Sequence, residues 1–239
     1  MSRYKGKLWG IDFNNKNSFD DFDLVILNKD LSPPAKIKIK QTVPFMQGAY
    51  DFSLINGEQT YGERELIYNF HLEETSKQNL NIKKIQLLDW LMNTNGKLRL
   101  FDDTIIGYYF LAECENIKFN ETDFHAVLET TFSAYPFKIG ESDEGNPYWD
   151  PINFLTDTMQ RLQYNVKNDL KIMIINQSAR NIMPKITSDS NMQIIIHNIT
   201  FNITSGITQD PRLLLFVGQN DLEIVGNGNI SFSFHREVL

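Results

Sequence analysis

Histidine and cysteine are the residue types in this chain that most readily bind metal ions or act as nucleophiles. His71, His125, His197 and His235 lie far apart in strand-like patterns, and none is adjacent to Cys114. Metal sites that can be recognised in a sequence place paired ligands a few residues apart. The spacing therefore predicts no metal site and favours histidines that are solvated or hydrogen-bonded within strands.

The carboxylates and the single thiol show no catalytic pattern. Adjacency in sequence does not place two carboxyl groups across a cleft, as glycoside hydrolysis requires. Cys114 lies between Glu113 and Glu115, whose charges predict a raised thiol pKa and an unreactive side chain. No Gly-x-Ser-x-Gly motif is present. We expect no catalytic residues and no enzymatic activity. Four acidic pairs are expected to serve turns and solvation: Asp20-Asp21, Glu73-Glu74, Asp102-Asp103 and Asp143-Glu144.

Two glycine-bearing segments are candidates for phosphate binding, Gly218-Gln219-Asn220 and Gly226-Asn227-Gly228-Asn229. Each precedes a strand-like segment, whereas phosphate loops open helices and use the helix N-terminus. The sequence therefore predicts that both are turns between strands, with glycine and asparagine supplying positive φ angles. We expect no cofactor.

Composition and net charge argue against two further classes of function, nucleic-acid binding and membrane association. The chain of 239 residues has 23 basic and 30 acidic residues, a net charge of -7. Such a chain lacks the basic surface with which proteins bind nucleic acid. No apolar segment approaches the roughly 20 residues of a membrane helix, and none follows the basic N-terminus as in a signal peptide. We expect no association with a membrane.

Alternation with a period of two dominates the N-terminal part. Lys36–Val43 alternates strictly and predicts a half-buried strand. Glu65–Leu72 predicts a second strand, with Leu66, Tyr68, Phe70 and Leu72 on one face. Between them, Asn56-Gly57 follows Tyr50–Ile55 and is a strong hairpin signal. Two long strands are predicted at Ile105–Phe119 and Phe124–Phe132.

One segment has helical spacing instead. Ser76 is a plausible N-cap, and a single amphipathic helix is predicted from about Lys77 to Met92, ending before Asn95-Gly96. Its stripe is expected to pack against a sheet. The stripe consists of Leu80, Lys84, Leu87, Leu88 and Leu91, with Ile85 and Met92.

Composition changes near residue 138. Lys138–Pro147 carries turn-forming residues without apolar periodicity and is predicted to be a linker. Tyr148–Gln163 is ambiguous between helix and extended chain. Six short strands are predicted beyond it, which is typical of a β-sandwich: Leu170–Ile175, Met192–His197, Thr200–Thr204, Arg212–Val217, Asp221–Val225 and Ile230–His235. The fold class is therefore mainly β, with domains at 1–137 and 138–239.

Several segments resemble the N-terminal domain of siphophage distal tail proteins. Gly48-Ala49-Tyr50-Asp51-Phe52-Ser53 matches a Gly-x-Tyr-Asp-Phe-Ser stretch of that family, and Tyr61 and Arg64 match its Tyr-x-x-Arg turn before an outgoing strand. The resemblance continues in order along the chain: Leu87–Leu91, Gly96–Leu98, Phe101–Asp103 and Thr131–Phe137.

The C-terminal half resembles the galectin-like β-sandwich that ends the short members of this family. The matching segments are Ile175-Asn176, Pro184–Ile186, Gly218–Asn220 and Ile230–Glu237. The resemblance implies an N-terminal β-sandwich or hairpin domain with one helix that forms a ring, followed by the galectin-like domain.

The resemblance also implies a function and partners. Six copies would form a ring at the virion tail tip, between the tail tube protein and the tail-associated hub protein. DNA would pass through the channel of the ring without specific binding, because an acidic wall repels phosphates. The C-terminal domains would hold receptor-binding or other baseplate proteins. The protein would be made in the cytoplasm of the bacterial host.

The hairpin at Tyr50–Tyr61 is the candidate contact between subunits, since Asn56-Gly57 predicts a protruding tip. Core packing within one chain is an equally good interpretation of the same residues. A carbohydrate-binding module is the alternative function, with Tyr148 and Trp149 as candidate stacking platforms; buried anchoring is the simpler interpretation of that pair. A cell-wall hydrolase has no support in the residues. The candidate interface residues are Tyr50, Asn56, Gly57, Tyr61 and Arg64.

Overall fold

The computed structural model describes residues 9–55, 57–144 and 160–239. The fold is mainly β, which confirms the predicted class. The described residues divide into two compact units, one ending at Ile139 and joined by Leu239, and the other running from Gly140 to Val238. Each unit has its own hydrophobic core. The assignment of these units as ring-forming and galectin-like domains stays a prediction.

Seventeen strands and one helix, α1 at Lys77–Met92, are present in the described residues. In chain order, the strands are β1 Ile11–Phe13, β2 Lys16–Asn17, β3 Val25–Asp30, β4 Lys40–Gln41, β5 Tyr50–Asp51, β6 Arg64–Glu73, β7 Leu98–Asp102, β8 Tyr108–Thr122, β9 His125–Ala134, β10 Lys138–Asp143, β11 Gln163–Asn176, β12 Lys185–Ser188, β13 Met192–Ile196, β14 Ile199–Ile203, β15 Gly206–Thr208, β16 Gly218–Ser233 and β17 His235–Val238.

The first unit is built on an antiparallel sheet of strand order β2-β1-β7-β8-β9-β6-β3. The prediction for Glu65–Leu72 is confirmed, because Leu66, Tyr68, Phe70 and Leu72 are all buried on one face of β6. The two predicted long strands are also present as β8 and β9, joined by a tight turn at which Asp123 has a φ of 55°. These strands pair along most of their length and form the centre of the sheet.

The helix has the predicted bounds. The Ser76 hydroxyl accepts a hydrogen bond from the Asn79 backbone N–H at 3.2 Å and so caps the first turn. Leu80, Leu87, Trp90 and Leu91 face the core. The Trp90 indole Nε1–H donates to the Phe13 carbonyl at 2.7 Å, which joins the helix to β1.

The predicted stripe of the helix is only partly correct. Three of its members, Ile85, Leu88 and Met92, are exposed, together with Ile82. Trp90, outside the predicted stripe, is buried. Apolar residues therefore lie on two sides of α1, and only one side packs on the sheet. The spacing alone does not distinguish a wide buried stripe from two separate apolar faces.

Residues 36–61 form an arm apart from the main sheet. Lys36 and Tyr61 pair at its base, and β4 and β5 form a separate two-stranded sheet within it. The prediction of a half-buried strand at Lys36–Val43 is wrong: only Lys40–Gln41 is a strand, and all eight residues are exposed. Alternation implies one buried face only where a core lies beneath the strand, and here no core does.

The second unit is organised around β16. Residues 218–231 of this strand pair with the whole of β11. On its other side, residues 222–226 pair with β13 and residues 230–233 pair with β12. The predicted turn at Gly226–Asn229 is wrong, because this segment is a bend inside one long strand. Gly226 and Gly228, with φ of 147° and 136°, occur where the partner strand changes.

Other predicted boundaries in this part of the chain also change. Residues 138–143 of the predicted linker form β10, which pairs with β17. Gly218–Asn220 begins β16 instead of forming a turn. Arg212–Val217 is not a strand; Leu215 alone pairs, with Ile182. Residues 145–147 of the predicted linker, the candidates Tyr148 and Trp149 and most of the ambiguous stretch lie outside the described residues.

Candidate functional site

The arm presents an apolar surface that the single chain does not cover. Its backbone is ordered by hydrogen bonds such as Phe52 N–H to the Ile39 carbonyl at 2.8 Å and Gly57 N–H to the Leu54 carbonyl at 2.9 Å. Phe45 is fully exposed, at 108%, and Ile55 is 74% exposed. Several exposed large apolar side chains in one short segment are typical of an interaction site. The exposed apolar residues of the arm are Ile37, Ile39, Val43, Phe45, Tyr50, Phe52, Leu54 and Ile55.

Three of the predicted interface residues belong to this arm and are described. Tyr50 is exposed in β5, where its ring lies 6.2 Å from that of Phe52. Gly57 has a φ of 87° with open space around its Cβ position. The hairpin predicted at Asn56-Gly57 is wrong, because β5 pairs with β4 and residues 42–49 join these two strands. Tyr61 lies at the base and contacts Phe137 edge-to-face, with ring centroids 5.5 Å apart. Asn56 lies outside the described residues. Contact with another subunit stays a prediction for these positions.

Arg64 is a correction to the predicted interface. It is 5% exposed, and its guanidinium donates to the backbone carbonyls of Ser32 at 3.1 Å, Leu31 at 3.2 Å and Pro136 at 3.4 Å. The guanidinium also lies over the Phe110 ring. Desolvation by burial lowers its pKa from the ordinary value of arginine. Within this chain Arg64 fastens the arm's connection to β6, so the single-chain interpretation holds for this residue.

Two of the four histidines come together on the outer surface of the first unit. His71 and Glu73 lie two residues apart on β6, and His125 is directly opposite Glu73 on β9. The imidazole rings stack with centroids 5.9 Å apart. His71 Nε2 lies 3.7 Å from Glu73 Oε2, and His125 Nδ1 lies 3.8 Å from Glu73 Oε1. Spacing along the chain missed this cluster; the signal that could have found it is His-x-Glu on one strand face.

The predicted acidic pair Asp102-Asp103 has a structural role, but Asp102 is buried instead of solvated. The Asp102 carboxylate is buried and accepts hydrogen bonds from Lys29 Nζ at 2.7 and 2.8 Å and from the Tyr68 hydroxyl at 3.1 Å. Burial, and then the Asp102 charge, raise the pKa of Tyr68 well above its ordinary value. Asp103 accepts from the Gly10 backbone N–H at 2.8 Å. This network joins β7 to β3 and β6.

Cys114 is buried in β8, and its pKa is raised to about 12. Burial is the main cause and the Glu115 charge a smaller one, so the predicted direction is confirmed for a different principal reason. A thiol of this kind is unreactive near neutral pH.

A shallow groove of about 530 Å³ lies on the second unit, beside the bend of β16. Its carboxylate, Asp189, accepts from the Asn229 backbone N–H and from the Asn229 side-chain amide, both at 2.8 Å. These hydrogen bonds lower the pKa of Asp189. The side chain therefore stays ionised and serves the bend, and the groove presents no acid–base pair among the described residues.

Comparisons with known proteins identify the fold. No protein-family model matches the chain, and no curated protein matches it. Among solved structures, the SPP1 Dit (gp 19.1) protein aligns with 98% of this chain and 100% of its own, at a TM-score of 0.67 and 12% identity. The chain has the fold of SPP1 Dit. The family resemblance noted in the sequence is thus confirmed at the level of the Dit fold, over both units.

Two structures of the phage P2 baseplate in its activated conformation also align with the chain. The structure with Ca covers 92% of each chain at 7% identity, with a TM-score of 0.40. The structure with Sr covers 95% of this chain and 97% of the other at 8% identity, with a TM-score of 0.41. SPP1 Dit is described as a paradigm of the hub adsorption apparatus in phages that infect Gram-positive bacteria.

In the described parts of this chain, α1 falls short of the length and apolar character needed to cross a membrane.

Proposed function

We propose that this protein is a structural component of the tail tip of a siphophage or prophage, and that it has no enzymatic role. The observation that carries the proposal is the Dit fold over 98% of the chain, shared with a protein described as a hub adsorption component. Six copies form a ring that joins the tail tube to the baseplate hub. The same comparison does not favour the carbohydrate-binding alternative.

The arm supports ring formation in this proposal. A two-stranded sheet is marginally stable alone in water, and the arm that contains this one exposes eight apolar side chains. Covering these side chains removes apolar surface from water, and each Å² of apolar surface buried stabilises the association by about 25 cal/mol. We therefore assign the arm to the contact with the neighbouring copy, with Tyr50 and Phe45 among the covered residues.

Other surfaces are left for the remaining partners. The exposed apolar face of α1 is separate from the arm in sequence and is available to the tube or hub protein. The second unit carries receptor-binding or other baseplate proteins. DNA passes through the ring without specific binding, since the net charge of -7 opposes contact with phosphates.

The arm can be tested by replacing Phe45 and Leu54 with serine in one variant. Both side chains are exposed, so the variant should keep the fold of the chain while its assembly is impaired. Native mass spectrometry and light scattering should give six times the 27.8 kDa chain mass for the unmodified protein. The variant should assemble at least about tenfold more weakly, a loss of about 1.4 kcal/mol.

The matched control is Ile207→Ser, which removes an exposed apolar side chain of the second unit. This control should assemble like the unmodified protein. A monomer at every accessible concentration would count against spontaneous ring formation. Equal assembly of the arm variant and the control would remove the arm from the interface.

A further inference from the structure

The cluster of His71, Glu73 and His125 carries an inference that is independent of the tail-tip role. Three side chains from two paired strands converge, and one atom from each lies within 4.8 Å of the other two. Two imidazoles and one carboxylate are a recurrent ligand set for Zn²⁺. Hard cations such as Ca²⁺ and Mg²⁺ prefer more ligands, all of them oxygen.

The spacing of these atoms suits a small tetrahedral ion. Zn–N and Zn–O bonds of about 2.0–2.2 Å place neighbouring ligand atoms about 3.3–3.5 Å apart. His71 Nε2 and His125 Nδ1 lie 3.7 and 3.8 Å from different oxygens of the Glu73 carboxylate, Oε2 and Oε1, so the atoms are near this spacing but not yet at it. The side chains are 38%, 65% and 41% exposed in chain order, so small rotations can close the remaining gap without disturbing the core.

The hydrogen bonding of the cluster points the same way. His125 Nδ1 is buried from solvent and has no hydrogen-bond partner among the described residues. A buried polar atom without a partner is uncommon, and a bound ion or a water molecule would satisfy it. Within the same residues, no lysine or arginine pairs with Glu73, whereas Lys83 pairs with Glu74 and Lys77 with Glu121. Among the described residues, the ion-pair partners of the Glu73 carboxylate are therefore the two histidines.

We infer that His71, Glu73 and His125 bind one Zn²⁺ ion per chain on the outer face of the first unit. Three protein ligands leave the fourth tetrahedral position to water. The ion connects the end of β6 to the start of β9, so zinc stabilises the folded state by mass action. With the ligand atoms already converging across paired strands, the site forms only in the folded unit.

Calorimetric titration of zinc into chelator-stripped protein tests this site. The unmodified chain should bind one equivalent. His71→Gln and His125→Gln should each weaken binding by more than about tenfold, because loss of an outer-shell partner alone already costs about 10–100-fold. His235→Gln is the matched control, since it removes an exposed histidine that lies beside Asp143, and it should bind like the unmodified chain.

A second measurement uses the unmodified chain alone. Among the four histidines, zinc should shift the ring-proton resonances of two and leave those of His197 and His235 unchanged. Calcium at the same concentration should shift none. The assignment is overturned if zinc does not bind saturably up to millimolar concentration, or if the His71 and His125 variants retain full affinity. Equal loss in the His235 variant would overturn it too.

Discussion

At the scale of single residues, the burial of Cys114 makes a prediction about alkaline stability. Its pKa is raised from 9.0 to about 12 in the folded chain. The unfolded chain therefore loses the thiol proton first, so this group's stabilising contribution is complete below about pH 9 and is lost as the pH rises toward 12. Above pH 9 the free energy of unfolding should fall more steeply than in Cys114→Ala, by up to about 1.4 kcal/mol per pH unit.

Urea unfolding at a series of alkaline pH values measures this difference. The variant loses packing at every pH, so the comparison is between slopes and not between absolute stabilities. A thiol reagent provides the control: it should label Cys114 only after unfolding. Parallel slopes, or rapid labelling of the folded chain, would contradict the burial of this thiol.

Residue-level prediction from the sequence worked where a neighbour in the chain decides the outcome. The raised pKa of Cys114 had the right direction, although burial contributes more than the adjacent glutamate. It failed for Arg64, whose carbonyl partners include residues more than 30 positions away in either direction along the chain. The meeting of His71 and His125 depends likewise on the register of β6 with β9, which no local pattern contains.

At the scale of elements, the bend of β16 predicts a strong effect of Gly228→Ala. A Cβ atom at this position would lie 2.2 Å from Asp189 Oδ1 and 2.5 Å from Ser190 Oγ, at a φ of +136°. Backbone strain and the clash together should destabilise the second unit by about 2–4 kcal/mol. The two cores share no residue, so each unit is expected to unfold in its own transition. Calorimetry should therefore show a lower melting temperature for the transition of the second unit and no change in that of the first.

Gly206→Ala separates strain from the clash. Its φ is +105°, but nothing lies within 4 Å of the added Cβ. This variant should cost about 1–3 kcal/mol, from strain alone. If Gly228→Ala is no more destabilising than Gly206→Ala, then Asp189 does not hold the bend as described.

Elements were predictable where a core lies beneath them. The period-two pattern of Glu65–Leu72 and the bounds of α1 hold because buried side chains select one face. Lys36–Val43 has a stricter alternation but belongs to the exposed arm, where no face is buried. Glycine and asparagine at 226–229 predict a turn. They form a bend within β16 instead, because the strand exchanges its partner there from β13 to β12.

At the scale of the whole molecule, the net charge of -7 predicts the behaviour toward DNA. The protein should show no saturable binding to duplex DNA at physiological salt, because it has no cationic surplus with which to displace counterions. Fluorescence anisotropy with a labelled duplex measures this directly. Binding that strengthens as salt is lowered would reveal a basic surface and would contradict passive passage of DNA in the proposed ring.

The class of the molecule and its family resemblance were accessible from the sequence because both are distributed over many residues. The chain passes from the first compact unit to the second at Ile139–Gly140, and the domains at 1–137 and 138–239 stay a prediction. The prediction of a linker was wrong for Lys138–Asp143. This segment is polar and contains glycine, but it forms a strand that pairs with β17. Pairing between distant segments decides such cases, and composition does not.

The exposed arm has one more consequence, for the temperature dependence of assembly. Covering Phe45, Ile55 and their apolar neighbours on association would give a negative heat-capacity change. The hydrophobic part of such an association weakens on cooling. A ring held by this arm would therefore loosen in the cold, and its subunits would associate more firmly as the solution warms toward the growth temperature of a host.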